Sequence, residues 1–485
     1  MNRSQPRKID RREFLRRYGI ASSALTLSPF FLSRLDAYSQ TTSSLTRVYR
    51  VTNVTESQGF GIPALLSLMG GIGQFINPTD IVVIKANGQW PNQGYTHTGC
   101  IKAVIDTILA IPGFSGEIII CDNLQTGGTV GATGFDAGAN SRNNNWPTYN
   151  WNQLASNYRS QGKPVATRNW SLTAGGSSFL AAGWTAPTTL PSFISWNPAN
   201  GEGWGRYFFS CGGQPTFLSC PVFQSPLTPG RLIDLQNGGG VWEGGASGGY
   251  TTRRVKVICM PTLNNHSAQP GSQDAAGVTS AIKCFFGATE IPGGAPAHTC
   301  ALFNGFYAAH GYCQISNGIQ TNFGQTIGML AASYIQNVYA PVLFITGAIY
   351  SGWASRGLSA PAGTAVATNT VLACTNPVTL DYVSCRDVIS PYAPWLNPDN
   401  AQTPSGTPLY QTDQTNNTRQ QMLGCINQGI GTINPQQFEI VTADCNAAPS
   451  GTRAAVEQKI RDFKAGNASE QDVKNALQNY MQTNQ

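Results

Sequence analysis

The sequence predicts an α/β fold: a mostly parallel sheet with flanking helices, a long Gly/Asn/Trp-rich insertion and a small C-terminal helical hairpin. Three observations predict it. Short apolar runs recur and end in polar turns. Helical spacing lies between them. Two stretches, about 124–250 and 451–485, break that rhythm.

The first run is Ile81-Val82-Val83-Ile84-Lys85. A continuous apolar run of this length marks a strand buried on both faces. Ile101, Val104, Ile105 and Ile108 then repeat at helical spacing within 98–109. The next run, Glu117-Ile118-Ile119-Ile120-Cys121, ends at Asp122-Asn123. Strand, helix and strand in about 40 residues make a βαβ unit, which requires parallel pairing.

Residues 124–250 are rich in Gly, Asn, Trp and Thr. They predict loops and short antiparallel strands, for example at 216–223 and 231–235. The βα rhythm resumes at Val255-Lys256-Val257-Ile258-Cys259-Met260. Helices are expected at 275–286 and 323–338, a buried strand at 341–346, a strand at 370–374, a helix from Val378 to about Ile389 and a last strand at 437–441. In 451–485 the charge density rises, and Val456, Ile460, Phe463, Val473, Leu477 and Tyr480 follow a helical period. Ser469 stands between the two arms as an N-cap. The chain thus divides into 1–39, an α/β domain over 40–450 that contains the insertion, and the appendage 451–485.

The first 39 residues predict a twin-arginine export signal. Arg11-Arg12-Glu13-Phe14-Leu15-Arg16 is followed by a diluted apolar run from Tyr18 to Leu32, about the length of a signal core. Cleavage after Ala37-Tyr38-Ser39 fits the small-residue rule, and an uncleaved anchor is the alternative. The expected partner is the twin-arginine export machinery, and the expected location is periplasmic or extracellular. No later run is long and apolar enough for a membrane span. The formal net charge of +6 reads differently once the signal is set apart. Residues 1–39 hold eight of the 30 basic and three of the 24 acidic residues, which leaves 22 against 21. The basic excess belongs to targeting, so nucleic acid is not an expected partner.

All twelve cysteines lie between Cys100 and Cys445, and none forms a C-x-x-C pair. Zinc ribbons and iron–sulfur motifs are therefore unsupported. Short spacings at Cys211/Cys220, Cys300/Cys313, Cys374/Cys385 and Cys425/Cys445 predict disulfides in an exported protein. Buried free thiols are the alternative, because twin-arginine cargo folds in the reducing cytoplasm.

Five segments, in order, carry a family resemblance. They are Ile84-Lys85-Ala86-Asn87 with Gln89-Trp90-Pro91-Asn92-Gln93-Gly94, Gly116 to Asn123, Leu263-Asn264-Asn265-His266-Ser267, Gly277 to Lys283, and Asn376 to Tyr382. Together they resemble the exported branch of the "domain of unknown function 362" family. The resemblance spans about residues 80–440. It implies an α/β fold and no established common reaction. This chain departs from the family in having Cys284 after Lys283, Thr346 where an Asp is frequent, and Lys-Ala-Asn for Lys-Pro-Asn after the first strand.

Ligands of open parallel sheets bind beyond the carboxyl ends of the strands. Lys85, Asn87, Asp122, Asn123 and Asn265 follow strand ends and are the expected substrate contacts. Lysine beside amides suits a small anionic molecule. His266, titrating near neutrality, is the candidate general acid or base. Lys283 and Asp381 complete the candidate catalytic set, with Lys85 in it as well. Strand-end Asn and Asp equally cap turns, and Lys283 and Asp381 equally serve as helix-surface and capping residues. His97, His298 and His310 show no ligand spacing, so no metal site is assigned; one assembled in space from His97, His266 and His298 is the alternative, and the sequence leaves the cofactor open. The competing expectation is a non-catalytic surface protein that binds through 124–250.

Overall fold

The computed structural model describes residues 45–88, 95–122, 135, 149–169, 187–211, 214–236, 238–265, 278–285, 307–308, 323–353, 365–399, 417–446, 456, 459–460, 462–463 and 468–483. The expected signal, with Arg11 and Arg12, and the candidates Asn123 and His266 lie outside the described residues, as do Cys300, Cys313, His298 and His310.

The chain enters through strand β1 (Thr46–Thr52) and helix α1 (Ile62–Leu68). Then come β2 (Ile81–Ala86), α2 (Thr98–Leu109) and β3 (Glu117–Asp122). Every residue of β2 and β3 is buried, as their continuous apolar runs require. Helix α2 turns Ile101, Val104, Ile105 and Ile108 into the core, and each such side chain contributes about 1.5–3 kcal/mol by leaving water.

Next are α3 (Trp151–Ser160) and β4 (Val165–Asn169). Both fall inside the segment expected to be an insertion, yet β4 pairs in parallel with β3 and extends the main sheet. Helix α3 is polar overall. Its start is fixed by a capping box between Asn150 and Gln153, and Trp151, Leu154, Ala155 and Tyr158 form its buried face.

A second sheet follows, made of β5 (Ser192–Ile194), β6 (Gly203–Cys211), β7 (Gln214–Gln224), β8 (Arg231–Asp234), β9 (Gly240–Glu243) and β10 (Gly249–Tyr250). These six are antiparallel throughout, as expected for 216–223 and 231–235. The chain then returns to the first sheet with β11 (Val255–Met260), β12 (Thr262–Asn265) and the short β13 (Val278–Thr279). Strand β14 (Tyr307–Ala308) pairs with β7.

The last part holds α4 (Phe323–Asn337), β15 (Leu343–Gly352), β16 (Ala365–Cys374), α5 (Pro377–Ser384, continued by a π turn to Ile389), α6 (Asn417–Ile426), β17 (Phe438–Asp444) and α7 (Glu470–Thr483). Asn376 caps α5 by accepting from the N–H groups of Val378 and Thr379, with Pro377 in the first turn. Helices α4 and α6 cross closely. A Cβ on Gly328 would strike the Gln421 carbonyl, and one on Gly424 would strike that of Gln325.

The main sheet runs β17-β1-β16-β15-β11-β2-β3-β4. It is mixed rather than mostly parallel. β16 lies antiparallel to both β15 and β1, while β15, β11, β2, β3 and β4 are parallel. A second correction concerns 275–286. Val278, Ile282 and Phe285 have helical spacing, but Val278-Thr279 pairs with β12 and a single 3-10 turn spans Lys283–Phe285. The strand pairing overrides the local pattern. A third correction concerns the thiols. Cys374, Cys385, Cys425 and Cys445 are all free, as are Cys100, Cys121, Cys220, Cys259 and Cys284. Of the expected hairpin, α7 is described, and positions 456, 459–460 and 462–463 are helical. Among the described residues no helix is long and apolar enough to cross a membrane.

Candidate functional site

The chain leaves β2 towards β3 and β4 on one side, and β11 is laid down on the other side of β2. The connections beyond β2 and β11 therefore diverge. Such a switch point leaves a crevice at the carboxyl ends of the two strands. Register places Cys259 opposite Lys85 and Met260 opposite Ala86 at that end. On the other side of β2, Lys85 faces Cys121 of β3, one residue before Asp122.

Lys85 and Asp122 meet there. Lys85 Nζ lies 3.0 Å from Asp122 Oδ1, with both side chains buried. Nζ also donates to the Ala86 carbonyl at 2.7 Å and to Cys284 Sγ at 3.7 Å. The three protons of the ammonium are thereby placed. Asp122 Oδ2 accepts from the Gly88 N–H at 2.7 Å. Burial alone pushes the Lys85 ammonium towards losing its proton. The charges of Asp122, Cys284 and Cys259 outweigh burial and hold it above the ordinary lysine value.

Cys284 arrives from the turn at Lys283–Phe285. That turn is held by Asp381 of α5, whose carboxylate accepts from the N–H groups of Ala281 at 2.7 Å and Ile282 at 2.9 Å. Burial raises the Asp381 carboxyl to about 7, and the bonds from Ile282, Ser280 and Ala281 oppose it. Ser280 Oγ lies 3.3 Å from Thr346 Oγ1, the threonine where the resembled family often has Asp. Burial pushes the Cys284 thiol up, yet the bond from the Cys259 thiol and the Lys85 charge bring it below the ordinary value. Cys259 moves the other way, well above, from burial and from its bond to Cys284.

Of the sequence candidates, Lys85 and Asp122 are brought together, and Asp381 reaches them through the turn that carries Cys284. Lys283 is half-buried in that turn and has partners of its own. Asn265 is buried and bonded. Asn87 lies at the crevice with its N–H on Thr96 Oγ1 and its side-chain Oδ1 buried without a partner. Asn264 stands in the sequence among the polar groups after the β11 strand but not among the assigned contacts, and it is fully buried with neither amide atom bonded. Opposite it across the β12–β13 pair is Thr279, whose Oγ1 is also unpartnered. Only a doublet of asparagines after a strand hinted at it. Cys284 was missed because it reaches Lys85 from 199 positions away in sequence.

His97 caps a helix. Its Nδ1 accepts from the Gly99 N–H at 3.1 Å as the cap of α2, and burial lowers it to about 4. Among the described residues no group of three or more His, Cys, Asp or Glu is placed to hold a metal ion. Comparison with known protein families, curated proteins and solved structures finds no match for this chain.

Proposed function

We propose that this chain is an exported α/β protein of the "domain of unknown function 362" type that holds a small polar molecule in the crevice between β2 and β11. One observation carries the reading. Buried polar atoms without partners lie on the segments that leave the switch point: Asn87 Oδ1 just beyond β2, both amide atoms of Asn264 on β12, which follows β11, and Thr279 Oγ1 opposite it on β13. An unbonded buried polar group costs about 1–3 kcal/mol, and a bound molecule that bonds to it removes that cost. The ammonium of Lys85 is already matched by Asp122, which occupies the place an anionic ligand would take. Asp381 is likewise committed to backbone N–H groups. A pocket role therefore fits the geometry better than acid–base catalysis by Lys85 and Asp381, and a polar ligand better than an anionic one. Export rests on Arg11-Arg12 and the apolar run behind them.

The test is extraction. Protein purified without denaturant is unfolded, and the released small molecules are identified by mass spectrometry. A polar compound is expected in stoichiometric amount, reduced about tenfold or more in Asn264→Leu, the equivalent of one lost hydrogen bond. Indistinguishable extracts from the two proteins refute the reading. They would turn attention to the alternative, binding through 124–250. There the half-buried rings of Phe193 and Tyr207 lie with centroids 6.5 Å apart, and Tyr207 stacks on the buried Phe209 at 5.6 Å.

A further inference from the structure

Charged side chains are scarce in this chain, and between β1 and the end of α5 their signs do not balance. Asp387, in the π turn that continues α5, is shared by two arginines. Arg50 of β1 places Nη1 2.9 Å from Asp387 Oδ2. Arg386 reaches the same carboxylate with Nε, 2.6 Å from Oδ1, and with Nη2, 3.0 Å from Oδ2. Among the described ion pairs this is the one carboxylate that serves two cations, so the trio carries a net positive charge. Arg231 shows the reverse, with two carboxylates on one guanidinium. The acidic residues of the adjoining β17 are committed elsewhere. Asp444 accepts from Asn53 Nδ2 at 2.9 Å and from the Asn446 N–H at 2.8 Å. Glu439 pairs with Arg47, three residues before Arg50 and so on the opposite face of β1.

The two arginines use different edges. Arg386 spends Nε and Nη2 on Asp387. Its guanidinium lies over the Tyr382 ring, 5.1 Å from the centroid, and the Tyr382 hydroxyl is fixed on Asp399 at 2.7 Å. Arg50 gives Asp387 only Nη1. On its Nε–Nη2 edge, Nη2 has one long bond, 3.4 Å to Thr442 Oγ1, and Nε is shielded from water with no hydrogen-bond partner. That edge is the fork that matches two oxygens of a carboxylate, sulfate or phosphate. Both arginines stay open to solvent, with side-chain exposures of 25% and 27%. The Ser390 N–H donates to the Cys385 carbonyl at 3.0 Å across the turn that carries Arg386 and Asp387. A π turn of this kind is rare and frequent at functional sites. We propose that the Nε–Nη2 edge of Arg50, with the Arg386 cation beside it, binds a small oxyanion, the group carried by carboxylates, sulfates and phosphates. Asp387 is the resident counter-charge. It holds the two cations together and limits how tightly a second anion binds.

This site does not rest on the crevice reading. Two strands, β16 and β15, separate β1 from β11 in the main sheet. Asn264→Leu is expected to bind the anion as wild type does, and failure of either proposal leaves the other standing.

The experiment titrates the full chain with sodium acetate, sulfate and phosphate by calorimetry, with sodium chloride holding the ionic strength constant. Saturable binding of at least one anion, one per chain, is expected, and the preferred anion tells a planar carboxylate from a tetrahedral group. Arg50→Lys keeps the charge and loses the fork, and is expected to weaken binding by roughly tenfold. Arg386→Gln removes the second cation and is expected to weaken it by a similar factor. Asp387→Asn is expected to act in the opposite direction and tighten binding by roughly tenfold, as one unit charge a few ångströms away implies. A purely structural bridge gives no such opposition, because losing either partner merely loosens α5 on β1. Lys102→Gln, at an exposed pair elsewhere, controls for general attraction and is expected to change nothing. Circular dichroism verifies that each variant is folded. The proposal is overturned if none of the three anions saturates, if Arg50→Lys and Arg386→Gln bind as wild type does, or if Asp387→Asn binds no tighter.

Discussion

The two ends of β3 each carry a buried carboxylate. At the N-terminal end, Glu117 accepts from Ser225 Oγ at 2.6 Å, from Thr228 Oγ1 and from Arg231 Nη1 at 2.5 Å. Those donors come from β8 and the connection before it, so Glu117 joins the second sheet to the first. Arg231 is held in turn by Glu243 at 2.6 Å. At the C-terminal end, Asp122 is matched by Lys85 and the Gly88 N–H from its own sheet, and the Oδ1 of Asn87, next to Gly88 in sequence, is buried without a partner. One end is saturated with donors and ties layers together. The other is incomplete. Polar burial of the first kind stabilises, because both carboxylate oxygens have donors. Burial of the second kind persists at a cost, which is the mark of a site.

The strongest way to break this comparison is to neutralise each end in turn. Lys85→Met leaves Asp122 buried and uncompensated, and a loss of about 3–5 kcal/mol is expected. Adding Asp122→Asn recovers most of it, since Asn still accepts from Gly88. At the other end Glu117→Gln keeps one acceptor, for either Ser225 or Thr228 but not both, and Arg231 keeps Glu243. A loss of about 1.5–3 kcal/mol is expected there. Denaturant unfolding measures all three proteins. Equal losses in the two single variants, or no recovery in the double, would remove the distinction.

A second effect separates the ends by pH. Asp381 anchors the turn beside Lys85, and its carboxyl is raised from 3.8 to about 7 by burial. Between those values the native state keeps a proton that the unfolded chain has released. The unfolded state then binds fewer protons, so stability falls as pH rises through the window, by about 1.4 kcal/mol per unit at most, and is level above it. The other titratable groups that interact with Asp381 are the thiols of Cys385 and Cys425, which burial keeps protonated throughout. Urea midpoints measured across this range for wild type and Asp381→Asn give the difference directly. A difference that does not change with pH would mean Asp381 titrates normally and does not hold the turn as a buried acid.

Much of this was legible in the sequence, for physical reasons that also explain the gaps. Strands β2, β3 and β11 announce themselves because burial on both faces demands unbroken apolar runs, and Lys85 and Asp122 then stand out as polar residues at their ends. β1 did not, because it carries Arg47 and Arg50 among its apolar residues and lies near the sheet's edge. Helix α3 did not, because four buried residues among polar neighbours leave a weak period, and its decisive signal is the cap pair Asn150 and Gln153. Residues 278–285 misled, since apolar positions four and three apart suit a helix as well as a strand followed by a turn. Only the partner β12 and the acceptor Asp381 decide between them, and neither is local. Cys284 became part of the site for the same reason: it sits 199 residues from Lys85.

The smallest expected effect has the opposite sign from the others, and this makes it the sharpest. Asn264 is fully buried, and neither its Oδ1 nor its Nδ2 has a partner. Leucine has nearly the same shape. If the crevice is an incomplete polar site, Asn264→Leu in protein freed of ligand removes an unmet desolvation cost and adds apolar burial. A gain of about 1–2 kcal/mol in denaturant unfolding is expected. Saturated polar groups behave otherwise. Ser225, bonded to Glu117 at the far end of β3, offers no such gain on truncation. A loss of stability in Asn264→Leu would show that the amide is already bonded in solution, by water or by the chain. The rim would then be a second saturated end, and the difference between the two ends of β3 would vanish.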